Sequence, residues 1–315
     1  MSDGRAVKLA AMMALLLLGS SMLAFPDERP DPLLLLRKSF SPSIAYTCKV
    51  VVTAWRSPKG ETALLREWRL PGGRYRIEYL APKNLRGTVI TSDGKRRWRI
   101  VNGRAVWDLA VDELTPERLD LLSQNYRLEV VKPATVLNRK AWLVEITPKL
   151  KGKPKHLLWL DAEHGIVLKG ELLGSDKNPI AFMTVTELKF LKPNEFDQKM
   201  FAPPKKLVTN KVASFPLTKE EAARRWAVSL PDKLPFGFRL ERIEEAALTQ
   251  KRPTLHAIYT DGLIRVSLFV LPTGQDFPVT VSRLPVVRWK QKGRTFLLVG
   301  NLDRSLLERL RRNFE

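Results

Sequence analysis

The sequence predicts a mainly β, α+β protein: a large, curved antiparallel half-barrel sheet wrapped on helices, followed by a small α+β domain. Three observations lead there. Strand-like runs separated by short polar turns fill residues 47–190. Connections that short favour sequential antiparallel pairing over helical crossovers. The break Pro203-Pro204-Lys205-Lys206 then separates this series from a second, shorter one that ends in an amphipathic segment.

The elements follow in order. Residues 1–24 have the layout of a secretory signal peptide: Arg5 and Lys8, an unbroken apolar run from Leu9 to Leu18, then Gly19, Ser20 and Ser21, followed by Met22-Leu23-Ala24 with Met22 large for its position. The segment is either cleaved after Ala24 or kept as an anchor, and both place the chain in the periplasm or cell envelope. Asp31 caps a short helix with Pro32 at its first position. Residues 74–79, Arg-Tyr-Arg-Ile-Glu-Tyr, alternate strictly, so Tyr75, Ile77 and Tyr79 share one sheet face. Asp93-Gly94 between two runs signals a two-residue type I′ hairpin. Thr115 and Pro116 open a helix over 115–125, after which strands resume from Tyr126 to Phe190.

The expected boundaries are a first domain over 32–204, a linker over 205–222 and a C-terminal domain over 223–315. Strands are expected at 226–230, 238–246, 254–259, 263–271, 286–290 and 295–299. Asp261-Gly262 reads as a second type I′ hairpin. In the closing helix Leu306, Leu307, Leu310 and Phe314 share a face.

Composition narrows the function. The 315 residues carry 54 Lys+Arg against 33 Asp+Glu, a net charge of +21. The excess is spread: 33 against 22 in residues 1–204, and 21 against 11 in residues 205–315. A nucleic-acid reader concentrates its charge on one element, so nucleic acid is not expected as a partner. An even excess fits anionic lipid or an acidic protein segment, and equally a generally basic, solvated surface. The single cysteine, Cys48, excludes an internal disulfide and Cys-rich zinc sites. His156, His164 and His256 lack metal-ligand spacing. There is no phosphate-binding glycine loop and no Gly-x-Ser-x-Gly elbow, and Asp161 to Gly165 reads as a turn. No enzyme and no cofactor are expected.

Two stretches carry a family resemblance. Residues 73–100 (GRYRIEYLAPKNLRGTVITSDGKRRWRI) and 141–173 (AWLVEITPKLKGKPKHLLWLDAEHGIVLKGELL) resemble the LolA/LolB lipoprotein-carrier fold, and more closely the related first domain of the RseB/MucB sigma-factor regulators. Leu234-Pro235-Phe236-Gly237-Phe238 and Tyr259-Thr260-Asp261-Gly262-Leu263, continuing to Phe269, resemble the small second domain of the same regulators. The resemblance implies a non-catalytic periplasmic regulator of an envelope-stress sigma-factor pathway. Such a protein binds a membrane-bound anti-sigma factor and senses lipid or lipoprotein. The alternative is a periplasmic carrier of lipid or lipoproteins.

Two residue sets are candidates for contact. Tyr75, Ile77, Tyr79, Trp98, Trp142 and Trp159 could line an apolar surface for acyl chains, although core packing demands the same residue types. Arg283, Arg288, Lys290, Lys292 and Arg294 cluster without an acid. Lys290 and Lys292 are expected on one face of a hairpin arm that docks an acidic partner segment or only protects an edge strand. Oligomeric state is left open.

Overall fold

The computed structural model describes residues 28–55, 60–101, 104–108, 115–192, 194–202, 214–249, 252–272, 274 and 284–314. The signal segment and Arg283 lie outside these residues. Among the described residues no helix is long and apolar enough to cross a membrane.

The first domain is an open antiparallel sheet of eleven strands. Helix α1 (Pro32–Phe40) precedes β1 (Tyr46–Trp55), β2 (Gly60–Leu70), β3 (Arg74–Ala81), β4 (Val89–Asp93), β5 (Arg97–Val101) and β6 (Arg104–Asp108). Helix α2 (Pro116–Asn125) leads into β7 (Tyr126–Val136), β8 (Arg139–Pro148), β9 (Lys155–Asp161), β10 (Val167–Leu173) and β11 (Pro179–Phe190). The strand order is β6-β5-β4-β3-β2-β1-β11-β10-β9-β8-β7. Two meanders are therefore joined by pairing β1 with β11, Tyr46 opposite Phe190. Both helix starts are chemically fixed. The Asp31 carboxylate accepts from Leu33 N at 2.8 Å and the Thr115 hydroxyl from Arg118 N at 3.3 Å, each with proline in the first turn.

The two helices cover one half of one face. Leu35 and Leu36 of α1 and Leu119 and Leu122 of α2 pack on Tyr126, Val130, Trp142, Val144, Ile146 and Leu160. The other half is built around Tyr46, Cys48, Val50, Leu65 and Val185, with Val52, Ala63, Ile77, Tyr79 and Met183 only partly buried beside them.

The second domain starts earlier than the sequence suggests. Within the expected 205–222 linker, β12 (Ser214–Pro216) already pairs with the second sheet, and α3 (Lys219–Trp226) begins at Lys219. Thr218 and Glu221 form a reciprocal capping box that fixes the start of α3. The strand expected at 226–230 is absent. Trp226 ends α3, Ala227 adopts a left-handed conformation, and Val228 and Leu230 are buried without pairing in a ladder.

Strands β13 (Lys233–Leu234), β14 (Phe238–Thr249), β15 (Arg252–Thr260), β16 (Arg265–Leu271), β17 (Val286–Gln291) and β18 (Arg294–Gly300) follow, then helix α4 (Arg304–Arg311). The sheet order is β12-β14-β15-β16-β18-β17, with β13 on β14. The sheet and helices α3 and α4 share one core, which includes Trp226, Tyr259, Leu268, Leu298, Leu306, Leu307 and Leu310.

Both Asp-Gly hairpins are real turns, but of four residues rather than two. Ser92 pairs with Arg97 and Thr260 with Arg265. The two loops are built alike. The carboxylate Oδ1 of Asp93 accepts from Lys95 N and Arg96 N, and that of Asp261 from Leu263 N and Ile264 N. The hydroxyls of Ser92 and Thr260 each accept from the glycine N–H at 3.1 Å. This side-chain capping of the loop backbone stabilises the longer turn over the I′ form.

Candidate functional site

Three surfaces are candidates, and the first is the uncovered half of the large sheet. Register places Tyr75, Ile77 and Tyr79 opposite Arg69, Glu67 and Leu65 on β2, which oppose Tyr46, Cys48 and Val50 on β1. All of these side chains share one face. Every residue of β3 is partly exposed. Ile77 and Tyr79 thus border an apolar strip that neither helix covers.

The strip is interrupted by a charge pair. Arg69 Nε donates to Glu67 Oε2 at 3.1 Å, and its guanidinium lies 4.9 Å from the centre of the Tyr75 ring. Burial alone would lower the Arg69 pKa, but Glu67 outweighs it and holds Arg69 firmly charged. Burial, with Glu67 adding to it, pushes the Cys48 thiol far up, so Cys48 is an inert core residue.

Two of the three candidate tryptophans separate from this strip, whereas Trp159 packs against its cluster. Trp98 pairs with Thr91, and Thr91 with Arg76, so Trp98 belongs to the opposite sheet face from Tyr75, Ile77 and Tyr79. It is fully buried. On that face Arg76 and the Thr91 hydroxyl both donate to the Met200 carbonyl. Trp142 is buried in the helix-covered cluster. Trp159 is half-buried, with the Lys169 ammonium 4.1 Å over its ring.

The second surface is the outer face of the small sheet. Arg288 and Lys290 are exposed on edge strand β17, while Val287 and Trp289 point into the core. Lys292 does not share their face. Gln291 pairs with Arg294, and Lys292 (φ 48°) with Gly293 (φ 76°) forms the two-residue turn between them. Both residues have positive φ, the I′ signature that the sequence reading placed elsewhere. Arg294 opens β18, with its guanidinium 5.9 Å from the Trp226 ring.

The same outer face carries a buried polar chain. His256 lies 2.9 Å from Glu244 through Nδ1 and 3.0 Å from the Ser267 hydroxyl through Nε2, and its ring stacks on Phe269 at 4.2 Å. These are the groups of an acid–base relay, brought together across three strands from far apart in sequence. Ser267, however, is mid-strand in β16, which is paired on both sides by β15 and β18. An acyl-transfer site needs free donors aimed at an oxyanion, and a doubly paired strand commits its backbone to the ladder. The chain therefore acts as internal satisfaction of polar groups.

The third surface is the junction of the domains, which sequence reasoning missed. The Lys153 ammonium donates to Asp261 Oδ2 and to the Phe236 carbonyl, both at 2.6 Å. The Lys153 and Asp261 side chains are 1% and 0% exposed. The Tyr126 hydroxyl donates to the same Asp261 oxygen at 2.7 Å, and Asn125 Nδ2 donates to the carbonyls of Asp261 and Gly237. Leu263 packs into the helix-covered core of the first domain. The two second-domain stretches that carry the family resemblance thus form the contact with the first domain.

Glycine is required at this contact. Gly262 has φ +99°, and a Cβ there would lie 2.3 Å from Leu122 N on α2. Gly237 has φ +79°, and a Cβ would fall on the Asn125 side chain. Nearby, burial of His156 holds its pKa down at about 4, with Asp261 pulling the other way. Its Nε2 is buried without a hydrogen-bond partner. Beside the junction both domains line a cleft of about 540 Å³, with Trp55, Leu172 and Ile180 on one wall and Leu284, Leu302 and Arg304 on the other.

An open eleven-stranded sheet bearing two helices, with a small α+β domain docked through its turns, defines the two-domain fold of this chain. The particular likeness is to the RseB/MucB type. The family model for the MucB/RseB N-terminal domain matches residues 95–205. The sigma-E factor regulatory protein RseB of Haemophilus influenzae is 25% identical over 216 residues, covering 64% of this chain and 63% of that protein. The chain therefore aligns with a little under two thirds of that relative. The crystal structure of MucB superposes with a TM-score of 0.59 at 19% identity, covering 88% of this chain and 94% of MucB. The Pseudomonas aeruginosa MucA/MucB complex gives a TM-score of 0.60 at 20% identity, with the same coverage. At these identities the superpositions establish a shared fold across both domains.

Proposed function

We propose that this chain is a non-catalytic periplasmic regulator of an envelope-stress sigma-factor pathway. It holds a membrane-bound anti-sigma factor and responds to lipid or lipoprotein. The observation that carries the reading is the agreement in fold over both domains with MucB, a protein seen in complex with MucA. The exposed Arg288 and Lys290 on an edge strand support a docking face for an acidic segment, since charge at a rim speeds association and selects partners. The test is affinity capture from detergent-solubilised membranes with the folded chain as bait. A single-span membrane protein encoded beside a sigma factor should be enriched. Its absence from the captured set, with the bait folded, would refute the reading.

A carrier of lipid or lipoproteins is the second reading. The half-exposed row of Val52, Ile77, Tyr79 and Met183 favours it, because an uncovered apolar strip fits an acyl chain. A fluorescent fatty-acid probe separates the two. Transfer of bound lipid to acceptor vesicles would support carriage, whereas binding without transfer fits a sensor.

A further inference from the structure

We propose that the Asp261–Gly262 turn is a charge-gated latch that makes the two domains a single body, and that neutralising one side of it releases them while neutralising both does not. This inference does not depend on the function proposed above.

The geometry is specific. Lys153 sits in the β8–β9 connection, and both acceptors of its ammonium, Asp261 and the Phe236 carbonyl, belong to the second domain. Asp261 divides its carboxylate. Oδ1 caps its own turn at Leu263 N and Ile264 N, and Oδ2 receives Lys153 and Tyr126. The parallel turn at Asp93 has the same capped backbone, but its Oδ2 meets only the local Arg96 side chain. The turn itself therefore does not need a buried partner, and the second oxygen of Asp261 is committed to docking.

A buried ion pair is about neutral in strength compared with an apolar contact, but removing one partner strands a charge. The Lys153–Asp261 pair therefore fixes where the domains meet more than how tightly. With one charge gone, the other regains water only if the domains separate. With both gone, the packing of Leu263 and the close approach of Gly262 to α2 still favour the closed form. The cleft between Trp55 and Arg304 has walls from both domains and exists only while the latch is shut.

The test uses the full chain and three variants: Lys153→Met, Asp261→Asn and the double variant. Asparagine keeps the oxygen that caps the turn. Calorimetry and small-angle X-ray scattering are the readouts, with circular dichroism to confirm folding. The wild type should melt in one transition. Each single variant should lose that shared transition, melting in two, and show a larger radius of gyration. The double variant should regain one transition and the wild-type radius. Single variants that stay compact and melt in one transition would overturn the proposal, and so would a double variant as open as the singles. If a single variant fails to fold, a compact, folded double variant still supports the latch, and an unfolded one refutes it.

Discussion

Lys153 and Asp261 meet at 2.6 Å with almost no solvent contact, although 108 residues separate them and they belong to different domains. Around this pair the second-domain turns carry their backbone to within van der Waals distance of α2. The junction depends on small residues as much as on charge.

Gly262→Ala should therefore destabilise the protein far more than Gly274→Ala. Both glycines have positive φ, but Gly274 has open space around it, whereas a methyl at Gly262 meets the α2 backbone. Strain alone costs about 1 kcal/mol, and the clash should raise the loss at Gly262 to roughly 3 kcal/mol or more. Denaturant melts of the two variants give the comparison. Equal losses would mean that α2 yields freely.

Stability should fall as pH drops from about 6.5 to about 4. The His156 pKa is depressed to about 4 in the folded chain, so in that window the unfolded chain binds a proton that the folded one does not. The stabilisation is complete above the unfolded value and is lost as pH falls through the window. A shift of that size corresponds to a loss on the order of 3 kcal/mol. His156→Gln should flatten this segment of the stability profile. An unchanged slope in the variant would assign the effect to other groups.

Lys292→Asn should stabilise the chain by about 0.5–1 kcal/mol, because asparagine tolerates the left-handed conformation that lysine holds in the β17–β18 turn. A lower melting temperature would show that the lysine makes a contact worth more than the backbone strain.

Changing Ile77 and Tyr79 together to Ser should weaken binding of a fatty-acid probe at least about tenfold, equivalent to about 1.4 kcal/mol. Trp98→Phe, on the opposite sheet face, should leave probe affinity unchanged in the folded protein. Equal effects from both changes would mean that the probe reports stability and not the apolar strip.

Much of this architecture was legible because local chemistry and global fold agree. Asp31-Pro32 and Thr115-Pro116 start helices where the sequence places them, and the alternation in residues 74–79 is the true β3 pleat. The capping box Thr218-Glu221 was equally visible, but it follows the Pro203-Pro204 break and so looked like linker. Lys292-Gly293, like Leu137-Asn138 between β7 and β8, is a two-residue turn with positive φ at both positions, while the two Asp-Gly pairs took longer loops because serine or threonine and aspartate side chains cap them. Nothing in the run Lys151 to Lys155 sets Lys153 apart from its solvated neighbours. Its burial depends on a partner 108 residues away, and local sequence carries no record of that. The register of Trp98 relative to Tyr75 likewise needs the exact lengths of two hairpin loops.

The most direct measurement is equilibrium binding between the folded chain and the periplasmic part of the membrane-bound anti-sigma factor of the same organism, titrated at about 0.05 M and 0.5 M salt, with Arg288→Glu/Lys290→Glu alongside. The screening length shrinks severalfold across that range. A saturable complex that weakens at high salt and forms more slowly with the variant, whose melting temperature stays near that of the wild type, is the expected result. No complex at either salt concentration, with both proteins folded, would contradict the regulator reading.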